Sequence, residues 1–396
     1  MSTPSVDSQR PKRILVYCQH LSGAGHFVRC REIIRALARR HNTWFMVGGP
    51  PVPGPKLDES IRLVPLPGIH RTPQGVLPLD SSRSLNQVFA DRRIMIEKLL
   101  REIQPEVLII EHFPFSKWLL REELMNAIQV ARETNAQVQV ISSVRDYPAG
   151  HEVAVSSSRF RNEVVPTLNQ HFDRLLVHAD PRVVTLESQF PWTREIDVPI
   201  HYTGYVAEKL TDRPADSPNR VDDSGAGGVL ISSGGLRDGF RLANLCVAAW
   251  KELDRRDTLG GRIMEIFAGL FAEDEQYADL EESIRGGPFK LRRFSDNFLN
   301  VMSTADLSIS QGGYNTTMNV LETRTQGILV PNRRTHDQAP RARQLADMGV
   351  VDCLDPAPES PLGLADLIHE RLSLPRSAHD IALDGAEKTL LLIDSL

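Results

Sequence analysis

Short apolar runs alternate along the whole chain with longer amphipathic stretches. Arg13–Tyr17 predicts a buried strand, and a glycine turn separates it from a helix predicted over Val28–Arg40, where apolar residues recur at helical spacing. Further buried strands are predicted at Thr43–Val47, Ile61–Leu66, Val107–Ile110, Val138–Ile141 and Arg174–Val177, with helices at Ser84–Gln104 and Lys117–Asn135. Alternating strands and helices are typical of a parallel sheet covered on both faces.

The alternation stops and restarts once. Residues 205–228 are rich in Asp, Pro, Ser and Gly, which predicts an exposed linker. After it, strands are predicted at Val229–Ser233, Ile263–Phe267, Ala305–Ile309 and Ile328–Val330, with a last helix from about Ala378 to the C-terminus. We therefore predict an α/β fold with two Rossmann-like domains, 1–204 and 229–396, facing each other across a cleft. Whether the last helix returns to the first domain stays open.

Composition narrows the class of protein. With 396 residues, 41% hydrophobic and 24% charged, the chain is too long for one ordinary domain and has the composition of a folded globular protein. Its apolar runs are far shorter than the ~20 residues of a membrane span, its N-terminus lacks a secretory pattern, and its four cysteines are scattered. We therefore expect a cytoplasmic protein.

Charge disfavours a nucleic-acid partner, because the net charge is −5 and the pI about 6.2. Residues 1–204 nevertheless carry a net charge of +4, and the predicted Val28–Arg40 helix contains five arginines. Such a helix could attach to the inner membrane face through anionic lipid, or it could be an ordinary solvated surface.

Candidate catalytic groups follow the strands of the first half. His26 comes after the glycine turn Gly23-Ala24-Gly25, where a histidine could act as general base. Glu111 directly follows a predicted strand and could orient that histidine, while Asp146 is the competing base. A dinucleotide site is disfavoured, since the second strand runs into Val47-Gly48-Gly49 with no acidic residue.

Candidate anion-binding loops follow the strands of the second half. Ser233-Gly234-Gly235-Leu236-Arg237 could cradle a phosphate, and Gln311-Gly312-Gly313 leads into a helix start rich in hydroxyl and amide groups. A P-loop, an HExxH zinc motif, a GxSxG elbow and an Asp-x-Asp metal clamp are all absent from the sequence.

These motifs together resemble the GT-B glycosyltransferases, specifically bacterial family 28-like enzymes related to MurG. The resemblance covers essentially the whole chain. It rests on Gly23-x-Gly25-His26-x-x-Arg29, on Arg145-Asp146, on Gly312–Thr316, and on Val330-Pro331 followed by Asp337-Gln338.

The resemblance implies a metal-independent, inverting transfer from a UDP-sugar to an acceptor hydroxyl, with the acceptor at the N-terminal domain and the donor at the C-terminal domain. It implies that His26 is the base and that Glu111 orients it. The residues that it and the loop chemistry assign to donor binding are Gly25, Ser233, Gly234, Gly235, Arg237, Phe294, Ser295, Gln311, Gly312, Gly313, Asn315, Thr316, Asn319, Asp337 and Gln338. No cofactor beyond the donor and no metal is expected.

Two positions depart from the family pattern. Asn319 stands where the family has a ribose-binding acid, with Glu322 as the other candidate, and Leu236 stands where a small residue is usual. These two departures leave a non-catalytic nucleotide-sugar-binding protein as an alternative. A sugar-nucleotide epimerase or hydrolase is a second alternative, because such enzymes share this two-domain architecture. The sugar, the choice between UDP and dTDP, the acceptor and the oligomeric state stay open.

Overall fold

A computed structural model of the chain describes residues 10–21, 23–52, 57–148, 157–210, 227–233, 237–269, 272–332, 335–358 and 360–396. The chain divides into two compact units: Met1–Val206 together with Ala382–Leu396, and Ala207–Ile381. Of the predicted linker, 211–226 lies outside the described residues. Tyr205, Val206 and Ala207 are buried rather than exposed, because Tyr205 N donates to Ala382 O and Val206 forms a bridge with Asp384.

The N-terminal unit is built on a seven-stranded parallel sheet in the order β3-β2-β1-β6-β7-β8-β9. Its strands are β1 Arg13–Cys18, β2 Asn42–Val47, β3 Ile61–Pro65, β6 Val107–Glu111, β7 Gln139–Arg145, β8 Arg174–His178 and β9 Ile200–Tyr202. A separate antiparallel hairpin, which the sequence pattern did not predict, pairs β4 Ile69–Thr72 with β5 Gly75–Pro78. The parallel α/β sheet is thus confirmed.

The helices of this unit lie at Gly25–Ala38, Leu85–Ile103, Arg121–Thr134, Ser157–Arg159, Val165–His171, Leu186–Gln189 and Gly385–Asp394. The 3₁₀ turns are Trp118–Leu120 and Pro191–Glu195, and Phe160–Val164 is a π-helical turn. The helix predicted from Val28 begins three residues earlier, which places His26 in its first turn instead of in the preceding loop. The helix predicted from Ala378 begins only at Gly385.

The C-terminal unit carries a six-stranded parallel sheet in the order β12-β11-β10-β13-β14-β15. Its strands are β10 Val229–Ser232, β11 Met264–Phe267, β12 Phe289–Arg292, β13 Leu307–Ser310, β14 Gln326–Leu329 and β15 Asp352–Cys353. Its helices are Arg237–Arg255, Asp274–Ser283, Phe298–Thr304, Tyr314–Thr323, Gln338–Asp347 and Pro361–Arg371. The core contains the fully buried Trp250, packed among the apolar faces of strands and helices.

The last helix, Gly385–Asp394, belongs to the N-terminal unit and packs against the helix Gly25–Ala38. Leu390 and Ile393 join the apolar core of that unit. Arg39 pairs with Glu387, and Arg40 Nη1 lies 2.5 Å from Asp394 Oδ2. These contacts neutralise two of the arginines that the sequence offered to a membrane surface.

Two further arginines, Arg29 and Arg31, lie in the helix Gly25–Ala38 and are buried. The five arginines therefore do not form one free basic face. Among the described residues, no helix combines the length and the apolar character that a membrane span needs.

Candidate functional site

The N-terminal site lies where the strand order of its sheet reverses direction. The central strand β1 pairs with β2 on one side and with β6 on the other. The helix Gly25–Ala38 follows β1, and Glu111 is the last residue of β6. In open parallel sheets this switch point, at the carboxyl ends of the strands, is where ligands bind.

His26 and Glu111 meet at this point. His26 Nδ1 lies 2.5 Å from Glu111 Oε1, and the Glu111 side chain is fully buried while 23% of the His26 side chain is exposed. A carboxylate can only accept, so Nδ1 carries the proton and Nε2 keeps its lone pair. Among the described residues no partner is found for Nε2, so this nitrogen is available to receive a proton.

The carboxylate is also bound by an arginine that the sequence analysis did not assign to the site. Arg29 Nη2 donates to Glu111 Oε1 at 2.7 Å, and its Nη1 lies 3.2 Å from His112 Nε2. Lys117 Nζ lies 3.8 Å from Glu111 Oε2. The spacing of Arg29, one helical turn after His26, is the signal that could have revealed it.

His112 completes the cluster. Its ring is 4.9 Å from that of His26, edge to face, and its backbone has a φ of +62°, in the left-handed region that is uncommon for residues other than glycine. Such backbone strain concentrates at functional sites. The His112 side chain is buried and supports Arg29 and His26 without reaching solvent.

The surroundings of His26 and Glu111 favour a neutral imidazole beside an ionised carboxylate. Burial lowers the pKa of His26 to about 4, against the opposing charge of Glu111. Burial by itself raises the pKa of Glu111, but the interactions with His26, His112 and Lys117 outweigh it and hold that pKa well below its usual value. At neutral pH His26 is therefore an unprotonated base that hydrogen-bonds to an anion.

His26, Glu111 and His112 each have a ligand atom within 4.8 Å of the others, so the three could coordinate a metal ion. The side chains around them disfavour this, because Arg29 donates to Glu111 and contacts His112 while Lys117 lies beside the same carboxylate. The negative charge is already balanced by two protein cations. This arrangement suits proton transfer better than cation binding.

Asp146, the competing base, lies directly after β7 and is almost wholly buried. Its Oδ1 accepts from Tyr147 N at 2.9 Å, and its backbone oxygen accepts from Gln189 Nε2. The neighbouring Arg145 acts with burial in lowering the pKa of His26. The structure thus brings Glu111, rather than Asp146, into hydrogen-bonding contact with His26.

The C-terminal unit places its glycine-rich loop between β13 and the helix Tyr314–Thr323. Gln311 follows the strand, Gly312 has a φ of +74°, and Gly313 is the N-cap residue. Thr317 N donates back to Gly313 O, the first hydrogen bond of the helix. Asn315 and Thr316 lie in this first turn. Such a helix start can bind an anion.

The two candidates for ribose binding differ in this structure. Asn319 is mostly buried in the helix that follows the glycine loop. Glu322 Oε2 accepts from Lys209 Nζ at 2.7 Å, so its negative charge is paired with a lysine of the same unit. This geometry favours Asn319 as the residue left for a ribose hydroxyl.

The loop after β14 brings Asp337 and Gln338 to the start of the next helix. Gln338 Oε1 accepts from Asn332 N at 2.9 Å, which leaves its amide nitrogen for a ligand. Arg341, which the sequence analysis missed, donates to Asp337 Oδ2 at 2.9 Å and to Gly312 O at 3.1 Å. The glycine loop and Asp337 are therefore joined.

The other residues that we predicted to bind the sugar donor lie on other elements of the fold. Phe294 is 39% exposed after β12, and Ser295 Oγ accepts from Asn297 N. Both the amide and the hydroxyl of Ser233 donate to Phe267 O. Gly234 and Gly235 lie outside the described residues, as does the side chain of Arg237. Gly25 begins the first helix of the other unit.

Comparison with known proteins finds a family match in the C-terminal unit. Residues 269–381 match the Glycosyltransferase family 28 C-terminal domain. This match covers 113 residues within the C-terminal unit. An uncharacterized glycosyltransferase of Methanopyrus kandleri is 23% identical over 184 residues, which are 45% of this chain and 48% of that protein. The aligned stretch thus spans about half the length of this relative.

Solved glycosyltransferase structures share the fold over nearly the whole chain. MurG of Acinetobacter baumannii has a TM-score of 0.56 at 14% identity, over 98% of this chain and 100% of that one. Phytolacca americana UGT2, complexed with UDP-2-fluoro-glucose and pterostilbene, has a TM-score of 0.56 at 14% identity, over 98% and 94%. VinC in complex with dTDP has a TM-score of 0.55 at 15% identity, over 97% and 96%. The predicted GT-B fold and the relation to family 28 are confirmed.

Proposed function

We propose that this protein is an inverting glycosyltransferase that moves a sugar from a UDP-sugar to an acceptor hydroxyl. The observation that carries the proposal is the hydrogen bond between His26 and the buried Glu111 at the switch point of the N-terminal sheet. The family 28 domain in the other unit supports a nucleotide-sugar donor. So do the UDP-sugar bound to UGT2 and the dTDP bound to VinC in those relatives.

In the proposed reaction, His26 Nε2 removes the proton of the acceptor hydroxyl as its oxygen attacks the anomeric carbon. The bond from that carbon to the nucleotide diphosphate breaks, and the diphosphate leaves with the electron pair. Glu111 holds the imidazole through Nδ1 and stabilises the imidazolium that forms. Attack opposite the leaving group inverts the anomeric configuration.

The leaving diphosphate is assigned to the helix start after Gly312-Gly313, with Asn315 and Thr316 in its first turn. The partial positive charge of this helix start stabilises an anion without a metal ion. Asp337 and Gln338 are proposed to accept and donate hydrogen bonds to sugar hydroxyls, Asn319 to meet the ribose, and Phe294-Ser295 to meet the base.

Nucleotide binding is the first consequence to test. We expect UDP and UDP-sugars to raise the melting temperature selectively over GDP and NAD, because a ligand at 100 times its Kd adds about 2.7 kcal/mol to the stability of the native state. Removing the hydroxyl in Thr316→Val should reduce this shift, while Thr304→Val, on an exposed helix end, should leave it unchanged. A thermal-shift series measures both.

No shift with any uridine or thymidine nucleotide would contradict a nucleotide-sugar donor. An equal shift in the wild type and Thr316→Val would contradict the phosphate position but keep the donor class. A larger response to dTDP than to UDP would change only the nucleobase that we assign to the donor.

A further inference from the structure

One buried arginine connects the two loops of the C-terminal unit on which donor binding depends. Arg341 lies in the helix Gln338–Asp347, and its side chain is fully buried. Its Nη1 donates to Gly312 O at 3.1 Å, and its Nη2 donates to Asp337 Oδ2 at 2.9 Å. The same planar group therefore fixes the glycine loop after β13 and a carboxylate after β14.

The surroundings of Arg341 argue for more than packing. Removing a guanidinium from water is costly, and here Asp337 supplies the opposite charge while the ring of Tyr314 lies 5.4 Å away under the cation. An apolar side chain of similar volume often serves packing equally well or better. The polar contacts of Arg341 therefore indicate that it fixes the two loops that it joins.

The contact to Gly312 also changes the electrostatics of the helix start. The Gly312 carbonyl and the Gly313 amide belong to one peptide group, so a cation bound to the oxygen polarises that group and strengthens the N–H as a donor. Gly313 is the N-cap of the helix Tyr314–Thr323. The effect of the buried charge thus reaches the position at which an anion would bind.

We propose that Arg341 is a positioning residue for the donor: it holds the diphosphate loop and the Asp337 carboxylate in one arrangement, so that the diphosphate and the sugar of a nucleotide-sugar are recognised together. This inference rests on the proposed function. In this role Arg341 acts through Gly312 and Asp337 and not by touching the donor.

The test compares binding of UDP and UDP-N-acetylglucosamine by calorimetry, at a temperature where each variant is folded. Arg341→Met should raise the Kd for UDP roughly 10-fold and that for UDP-N-acetylglucosamine roughly 100-fold, because the sugar contact through Asp337 is lost as well. Arg341→Lys keeps the charge but cannot span both acceptors, so its Kd values should lie between. Arg343→Met, an exposed arginine of the same helix paired with Asp355, is the matched control and should bind like the wild type.

A purely structural role predicts a lower melting temperature in Arg341→Met with both Kd values unchanged, and that result would overturn the inference alone. If Arg341→Met does not fold, Arg341→Lys decides, and wild-type affinity for both ligands in it would overturn the inference. If the wild type binds no uridine or thymidine diphosphate, with or without sugar, the proposed function fails and the inference fails with it.

Discussion

His26→Ala should lower the rate of sugar transfer by roughly 10²–10⁴-fold, the usual contribution of a general base. Nothing among the described residues binds its Nε2, and its Nδ1 is held by Glu111 at 2.5 Å. Removing the ring therefore removes the proton acceptor and leaves the C-terminal unit intact. The affinity for UDP should stay as in the wild type.

The measurement is the initial rate of acceptor glycosylation, with nucleotide affinity determined in parallel. Glu111→Gln keeps the shape of the side chain but removes the charge that stabilises the imidazolium, so it too should slow transfer. His369→Ala, which changes an exposed histidine in the C-terminal unit, is the matched control. Wild-type turnover by His26→Ala would eliminate the base assignment and return attention to Asp146.

Mild acid should destabilise the N-terminal unit strongly. Burial lowers the pKa of His112 and His178 well below the usual value, and that of His26 to about 4. Unfolded histidines take up protons near pH 6.5, so between that pH and the folded pKa the unfolded chain binds more protons and stability falls as pH falls. For each pH unit of acidification, a fully buried histidine lowers the free energy of unfolding by up to about 1.4 kcal/mol. The partly exposed His26 lowers it by less.

Urea unfolding of the full chain can be monitored by tryptophan fluorescence. The free energy of unfolding should be roughly 3–4 kcal/mol lower at pH 5.5 than at pH 7.5. His178 bonds Ser143 Oγ through Nε2 and Thr203 Oγ1 through Nδ1, so asparagine at this position can keep part of the hydrogen bonding. His178→Asn should reduce the difference by about 1.4 kcal/mol. Equal stability at both pH values would show that these histidines are not held neutral.

The fold could be predicted from the sequence because parallel strands and amphipathic helices have distinct periodicities. The central strands β1 and β6 and the Rossmann-like order follow from apolar runs separated by helices. The hairpin β4–β5 was missed because its strands have only four residues each and are partly exposed. The end of β7 was also missed, since Arg145 continues the strand past the apolar run.

The candidate site was predictable as far as residues at strand ends. His26 lies in the helix that follows β1 and Glu111 ends the neighbouring strand β6, so the order of the strands brings them close together. The role of Arg341 could not be predicted in this way, because the sequence gives no measure of how deeply an arginine is buried. Arg29 is indicated by its place one helical turn after His26, but its contact with Glu111 was not predicted. His112 depends on a left-handed backbone that nothing in its residue type indicates.

The most direct test of the account is whether nucleotide diphosphate release requires an acceptor. The assay incubates the wild type with UDP-N-acetylglucosamine, UDP-glucose or dTDP-glucose in EDTA, with and without a panel of sugar, lipid-linked and phenolic acceptors. We predict that release depends on an acceptor, persists in EDTA and falls by roughly 10²–10⁴-fold in His26→Ala. Equally fast release without any acceptor would indicate a hydrolase or epimerase, and tight donor binding with no release would indicate a binding protein; either result would contradict the proposed transferase.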